Sequence, residues 1–181
     1  MADFRGIFDF WFSDQARPRW FVKEAAFDEA IRLRFESTLR AAAAGDLRDW
    51  QETAEGALAL VILLDQFPRN IYRGTARAFA TDGQALGVAD LAIQRGFDLM
   101  VPADRRIFFY LPFEHSENLA DQDRAIDLIR ERIGDARTIE FALKHKVIIA
   151  RFGRFPHRNA ALGRPTTPDE ADFLKGADSS F

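Results

Sequence analysis

The 181-residue chain contains no cysteine, only 2 methionines and 2 tyrosines, and no apolar run long enough to cross a bilayer. The lack of cysteine excludes disulfides, thiolate catalysis and Cys-ligated zinc or iron–sulfur centres. The most continuous apolar stretch, residues 57–64, is far shorter than the roughly 20 residues a membrane helix needs. The opening MADFRGIFDFWF has neither the basic region nor the small-residue cleavage site of a secretory signal. Strict period-two alternation is missing as well, which argues against sheets. A soluble cytoplasmic protein without a membrane partner is the expectation.

What is abundant is phenylalanine, with 18 residues, so the core is expected to be rigid and aromatic rather than methionine-plastic. The net charge of −3 and a pI near 5.7 argue against a nucleic-acid partner, which calls for a basic domain. The length suits one domain spanning 1–181, since no linker or low-complexity segment divides it.

The dominant period is helical. Ile7, Phe8, Trp11 and Phe12 predict a short aromatic-faced helix, and Phe27, Ile31, Phe35 and Leu39 form an i, i+4 stripe stopped by Gly45. Residues 52–65 read as an enclosed central helix that Phe67-Pro68 ends. Thr81-Asp82-Gly83-Gln84 has capping-box form and opens a helix running to Gly96. Two short Phe-rich helical turns are expected over 105–111 and 112–119, the second with Pro112 at its first position. A helix over 123–133 stops at Gly134, Asp135 caps another over 136–152, and Thr167-Pro168-Asp169-Glu170 opens a last short one. The final GADSSF should fray. The fold expected is all-α, built of stacked antiparallel helical hairpins.

Charge is distributed unevenly along this scaffold. Between Lys144 and Arg164 stand six basic residues, two of the three histidines and no acid. Its complement lies upstream in EHSENLADQD, where Glu114, Glu117, Asp121 and Asp123 flank His115. Glu114, Glu117 and Asp121 would share a face if that helix continued. On the helix through Phe152, His145 shares a face with Phe141, Ile148 and Phe152. It is either a core histidine bonded to a carbonyl or carboxylate, or a desolvated imidazole serving as base or ligand. Lys144 and Arg151 share the polar side, and Arg154 and Arg158 follow across Gly153 and Pro156. Arginines that converge need carboxylates or an anionic ligand, because two guanidinium groups about 6 Å apart repel by about 3 kcal/mol at an effective dielectric near 20. Struts to Glu114, Glu117 or Asp65 would satisfy them equally. Asp65, at the C-terminal end of an apolar helix, needs a cation such as Arg69, Arg73 or the distant arginines.

Three segments, LDQFPRNIYRGTARAFATD (64–82), YLPFEHSE (110–117) and RFGRFPHRN (151–159), resemble the signature of an uncharacterised bacterial family, the domain-of-unknown-function 924 family. The resemblance covers nearly the whole chain from FDFWF at 8–12. It implies a tetratricopeptide-like right-handed superhelix and carries no established activity.

The residues expected to form a polar pocket are His115, His145, His157, Glu114 and Glu117 for proton transfer. Asp65, Gln66, Arg69, Asn70, Arg151, Arg154, Arg158 and Asn159 are expected to contact a ligand. No cofactor is expected, and no metal, since the histidine spacing is neither HExxH nor H-x-H. The function expected is binding of a small anionic ligand or peptide. The alternative is an enzyme performing hydrolase-type acid/base chemistry on an anionic substrate. RNA binding by the basic stretch is opposed by the overall acidity.

Overall fold

The computed structural model describes residues 4–176 and 179, and among them every regular element is helical. None of the described helices is long and apolar enough to cross a membrane. The chain packs into two compact units, one comprising 1–73 and 77–112, the other 74–76 and 113–181.

The first unit begins with α1 (Arg5–Trp11), which buries Ile7 and Trp11 as its spacing requires. α2 (Ala25–Ala44) buries Phe27, Ile31, Phe35 and Leu39, and Gly45 stops it at φ 85°. Trp11 centres an aromatic core, with ring centroids 5.4 Å from Phe67 and 5.8 Å from Phe108. Each such ring contributes about 1.5–3 kcal/mol on leaving water.

α3 (Ala54–Val61) opens on Thr53, whose hydroxyl accepts the Gly56 N–H at 3.1 Å. Gly56 has no room for a side chain, because a Cβ there would stand 2.3 Å from the Trp50 carbonyl oxygen. The chain does not end its helix at Phe67-Pro68, as the sequence suggested. It passes instead through a π-helical turn, Ile62–Gln66, into α4 (Phe67–Ile71). Pro68 clashes with the carbonyl four residues back and offers it no N–H, so the helix widens by one residue rather than stopping.

The carbonyl deprived of that donor belongs to Leu64, and the Thr81 hydroxyl donates to it at 2.6 Å. Thr81 therefore does not form the expected capping box. It precedes α5 (Asp82–Gln94) without a side-chain cap bond, its hydroxyl being engaged elsewhere. α6 (Phe97–Met100) and most of α7 (Ile107–Glu114) complete this unit, whose boundary falls within α7 after Pro112. The Tyr110 hydroxyl donates to the buried Asp98 carboxylate at 2.5 Å.

In the second unit, α8 (Leu119–Arg132) starts before the expected Asp123, because the Asn118 side chain accepts the Ala120 N–H at 2.8 Å. α9 (Ala136–Phe152) is capped by Asp135 and stopped by Gly153 at φ 68°. α10 (Pro168–Phe173) carries the capping box of Thr167 and Glu170. Ile148, Ile149 and Phe155 form the core here, with Phe152 and Phe173 packed against it. Of the tail expected to fray, residues 177, 178, 180 and 181 lie outside those described, and the Ser179 hydroxyl donates to the Leu174 carbonyl at 3.2 Å.

Replacing Thr81 by valine keeps the shape and removes the donor to Leu64. A buried carbonyl stripped of its partner costs about 1–3 kcal/mol. Thr81→Val should therefore shift the urea midpoint downward by an amount of that size with an unchanged slope.

Candidate functional site

Pro112 is not the start of a helix. It lies inside α7, which ends two residues later at Glu114. The expected shared face of Glu114, Glu117 and Asp121 therefore does not exist, because the helix stops between them. Gln122, fully buried on α8, secures that stop: its side-chain amide donates to the carbonyls of Glu114 at 2.6 Å and Ser116 at 2.7 Å. Glu114 is thereby fixed with its carboxylate 2 % exposed, and half-buried His115 follows it.

His145 is 6 % exposed on the inner face of α9, with Ala142, Ile148 and Ile149 buried along the same helix. Phe141, expected on the buried stripe, is 42 % exposed. The carbonyl oxygen of Phe141 lies 2.8 Å from His145 Nδ1. A carbonyl only accepts, so Nδ1 carries the hydrogen and Nε2 is the basic nitrogen of the neutral ring. The Glu114 carboxylate stands 3.5 Å from the same Nδ1. Burial drives the imidazole pKa down from its ordinary 6.5 to about 3, reinforced by His115, Arg158 and His157 and opposed by the Phe141 carbonyl.

Beyond Gly153, Phe155 is fully buried and the other groups stand around its ring. The His145 ring lies edge-on at 5.9 Å, the His157 ring at 5.6 Å and the Arg158 guanidinium carbon at 4.5 Å from the Phe155 centroid. His115 and His145 are 6.2 Å apart, centroid to centroid. Arg158 itself is only 6 % exposed. The Phe155 backbone is held at both ends: its N–H donates to Glu117 at 2.8 Å and its carbonyl accepts from Arg164 at 3.0 Å. Glu117 and Arg164 also pair with each other at 2.7 Å. Burial works against the Glu117 charge most strongly. Arg164, the Phe155 N–H and Arg158 together outweigh it and hold the carboxyl below the usual range.

The structure thus brings His145, His157 and Arg158 around the Phe155 ring, sets His115 and Glu114 beside His145, and places Glu117 on the Phe155 N–H, all in one unit. Arg154 has a different use. It grips Glu170 through two hydrogen bonds of 2.6 and 2.9 Å and donates to the Pro165 carbonyl at 2.9 Å. Arg154 and the Thr167 N–H draw the 2 %-exposed Glu170 carboxyl down to about 2, against its burial. Arg151 is exposed, its guanidinium carbon 4.6 Å from the Phe152 ring centroid. Asn159 is fully buried and accepts from Arg164 at 3.0 Å, so it orients that arginine.

In the first unit, Asp65 is fully buried within the π turn. Gln66 donates to it at 2.5 Å and Arg69 pairs with it at 3.3 Å. Arg69 also bonds both oxygens of Asp82 at 3.0 and 3.1 Å. Burial opposes its charge, yet Asp65 and Asp82 hold its pKa above the ordinary value. Asn70 donates to Asp28 at 2.7 Å, which Arg73 also binds. These partners all belong to the first unit and form a local ion-pair network. Among the described residues no three His, Asp or Glu side chains are placed to hold a metal ion.

Residues 7–178 match the profile of a family described as bacterial protein of unknown function, DUF924. The chain belongs to that family. It is also similar to the solved structure of a protein of unknown function from Agrobacterium tumefaciens, with 48% identity over 96% of this chain and 97% of that one, and a TM-score of 0.90. No curated protein matches it. The DUF924 family and this neighbour are both described as of unknown function, so the chemistry of the site rests on its residues.

Glu170, Arg164, Gln122 and Phe155 organise the site without having been singled out as its members. Glu170 had a visible signal in the capping box, whose glutamate keeps acceptor capacity for a second donor. Gln122 had none.

The burial of neutral His145 has a consequence for stability. Unfolded, it binds a proton near 6.5; folded, only near 3. Between those values the unfolded state holds more protons, so this contribution is present above pH 6.5 and declines as pH falls. Unfolding free energies from denaturant titrations between pH 7 and pH 5 should show a slope approaching about 1.4 kcal/mol per pH unit. His145→Gln should flatten it.

Proposed function

We propose that the second unit binds a small anionic ligand, or the anionic end of a peptide, at the cluster of His115, His145, His157 and Arg158. The observation that carries this reading is the guanidinium of Arg158, 6 % exposed and stacked on Phe155 among three imidazoles. Burial first, then His115, Arg158 and His157, disfavour protonation of His145, so the ring stays an uncharged neighbour although the Glu114 carboxylate stands 3.5 Å from its Nδ1. A single negative charge about 4 Å from a guanidinium gains about 4 kcal/mol at an effective dielectric near 20. Glu117 pairs with Arg164, accepts from the Phe155 N–H and also feels the charge of Arg158. Planar, bidentate recognition of carboxylate or phosphate suits arginine held in this way. Neither nucleic acid nor membrane is a partner in this reading, and the cysteine-free composition favours the cytoplasm. A tetratricopeptide-like right-handed superhelix remains part of this reading, and the packing of the consecutive helices α8 and α9 against each other supports a hairpin there.

A second reading is an enzyme of hydrolase-type acid/base chemistry acting on an anionic substrate. It is favoured by His145 itself, whose Nδ1–H points at the Phe141 carbonyl and leaves Nε2 as an uncharged base at neutral pH. Arg158 would then hold the substrate charge, and His115 or His157 would exchange the second proton.

Histidine proton resonances followed at pH 7 while inorganic phosphate, succinate or citrate is added would test the binding. The ring signals of His115, His145 and His157 should shift saturably, and Arg158→Gln should weaken the response roughly tenfold or more. Arg154→Gln should leave it intact while lowering the melting temperature by several degrees, because Arg154 serves Glu170. Resonances indifferent to all three anions, or an Arg158→Gln variant that binds like the parent, would sink the proposal.

A further inference from the structure

The first unit carries a surface hollow of about 530 Å³ that has no part in the histidine cluster. Its volume lies in the range of small-molecule sites. Arg5, Phe8, Asp9 and Phe12 reach it from α1 and its C-terminal flank, Glu55 from the first turn of α3, and Arg105 from the turn before α7. The sequence spacing sorts these groups: Arg5 and Asp9 are four residues apart, and so are Phe8 and Phe12. A helix therefore presents one charged pair beside one aromatic pair.

Arg105 is the informative member. Its guanidinium carbon lies 4.5 Å from the Phe12 ring centroid and 5.7 Å from that of Phe8, so the group rests against both rings. Its Nε is shut away from solvent and makes no hydrogen bond. Among the described residues no carboxylate lies within ion-pairing distance of Arg105. The contrast with Arg17 is direct. That residue also lies over Phe12, but it takes Asp104 at 2.7 Å and the Phe12 carbonyl at 3.0 Å. The acid adjacent to Arg105 in sequence is thus used by another arginine.

Asp9 and Glu55 likewise form no ion pair among the described residues. Two bases, Arg5 and Arg105, and two acids, Asp9 and Glu55, line the hollow, so its formal charge balances to zero. A dianion such as phosphate would meet Asp9 and Glu55, and a simple cation would meet Arg5 and Arg105. A dipolar ligand meets neither penalty. We propose that this hollow binds a zwitterionic amino acid with an apolar side chain. The carboxylate would pair with Arg105, the ammonium with Asp9 or Glu55, and the side chain would lie on Phe8 and Phe12. A guanidinium already stacked on an aromatic ring loses little freedom when a carboxylate docks, which favours it over a lysine in the same place.

The test titrates the full chain with L-phenylalanine and L-leucine, read by amide chemical shifts of α1 and the Arg105 side-chain N–H. N-acetyl-phenylalanine and phenethylamine, each lacking one charge, serve as comparisons. Saturable shifts are expected with the two amino acids, at least roughly tenfold weaker with either one-charge analogue. Arg105→Gln should abolish the binding, Asp9→Asn should weaken it, and Arg105→Lys should restore part of it, with melting temperatures recorded for each. A chain that shows no saturable shift with either amino acid overturns the proposal. So does an acetylated analogue that binds equally well, or a folded Arg105→Gln variant that binds undiminished. None of these outcomes touches the histidine cluster, which responds to different probes.

Discussion

The arrangement around Phe155 depends on one ion pair, Glu117 with Arg164. Between solvent-exposed side chains such a pair is worth about 0–1 kcal/mol. This one is partly withdrawn, with side-chain exposures of 28% and 22%, and its Coulomb energy is the smaller part of its effect. Its two members also close the hydrogen bonds of the Phe155 N–H and carbonyl. Without them, a residue just past a helix terminus would carry two buried backbone groups without partners, each costing about 1–3 kcal/mol. Because they are satisfied, the chain can turn sharply after Gly153 and set a phenyl ring where two imidazoles and a guanidinium converge. The neighbouring pair, Arg154 with Glu170, anchors the segment that follows, so charges that read as a basic excess are largely spent on fixing a turn.

A comparable logic operates in the first unit, where proline sets the constraint. Pro68 denies Leu64 its helical donor, the helix widens into a π turn, and Thr81 fills the gap. That widening places Asp65 and Gln66 in one irregular turn, where Arg69 can meet both the Asp65 and the Asp82 carboxylates. A fully buried carboxylate is tolerable only when it is paired and hydrogen-bonded, and this one is both. The turn explains the density of polar residues in DQFPRN without recourse to a ligand.

How much of this was legible in the sequence follows from whether the deciding partner is local. α9 and α10 start and stop where Asp135, Gly153 and the Thr167–Glu170 box place them, because caps act within four residues. Pro112 and Pro68 were misread for a single reason. A proline that begins a helix and one carried inside it share the same local sequence. For Pro68 the difference is made by Thr81, a donor that arrives from elsewhere in the chain, and for Pro112 the Gln122 amide fixes only where the helix ends. The charge complementarity of EHSE and the basic stretch was visible, but the pairing was not. Glu117 takes Arg164 and Arg154 takes Glu170, and only the assembled backbone chooses among such candidates. The approach of His115 to His145 was likewise suggested by their neighbours, whereas Phe155 as the ring that His145 and His157 share had no sequence signal.

The chemistry of that cluster turns on a single reciprocity. Burial, His115, Arg158 and His157 all work against a proton on His145, so the folded protein keeps this imidazole neutral through the physiological range. An anion seated beside Arg158 would oppose the same electrostatic field and raise the imidazole pKa. By linkage, the proton and the anion would then each tighten the binding of the other by the same factor. The acid-side loss of stability and the gain in anion affinity would therefore share one origin, the second setting in only as pH falls through the anion-bound pKa of the ring. A histidine buried only for packing would show the first effect without the second, which makes the coupling the feature that separates a site from a satisfied core.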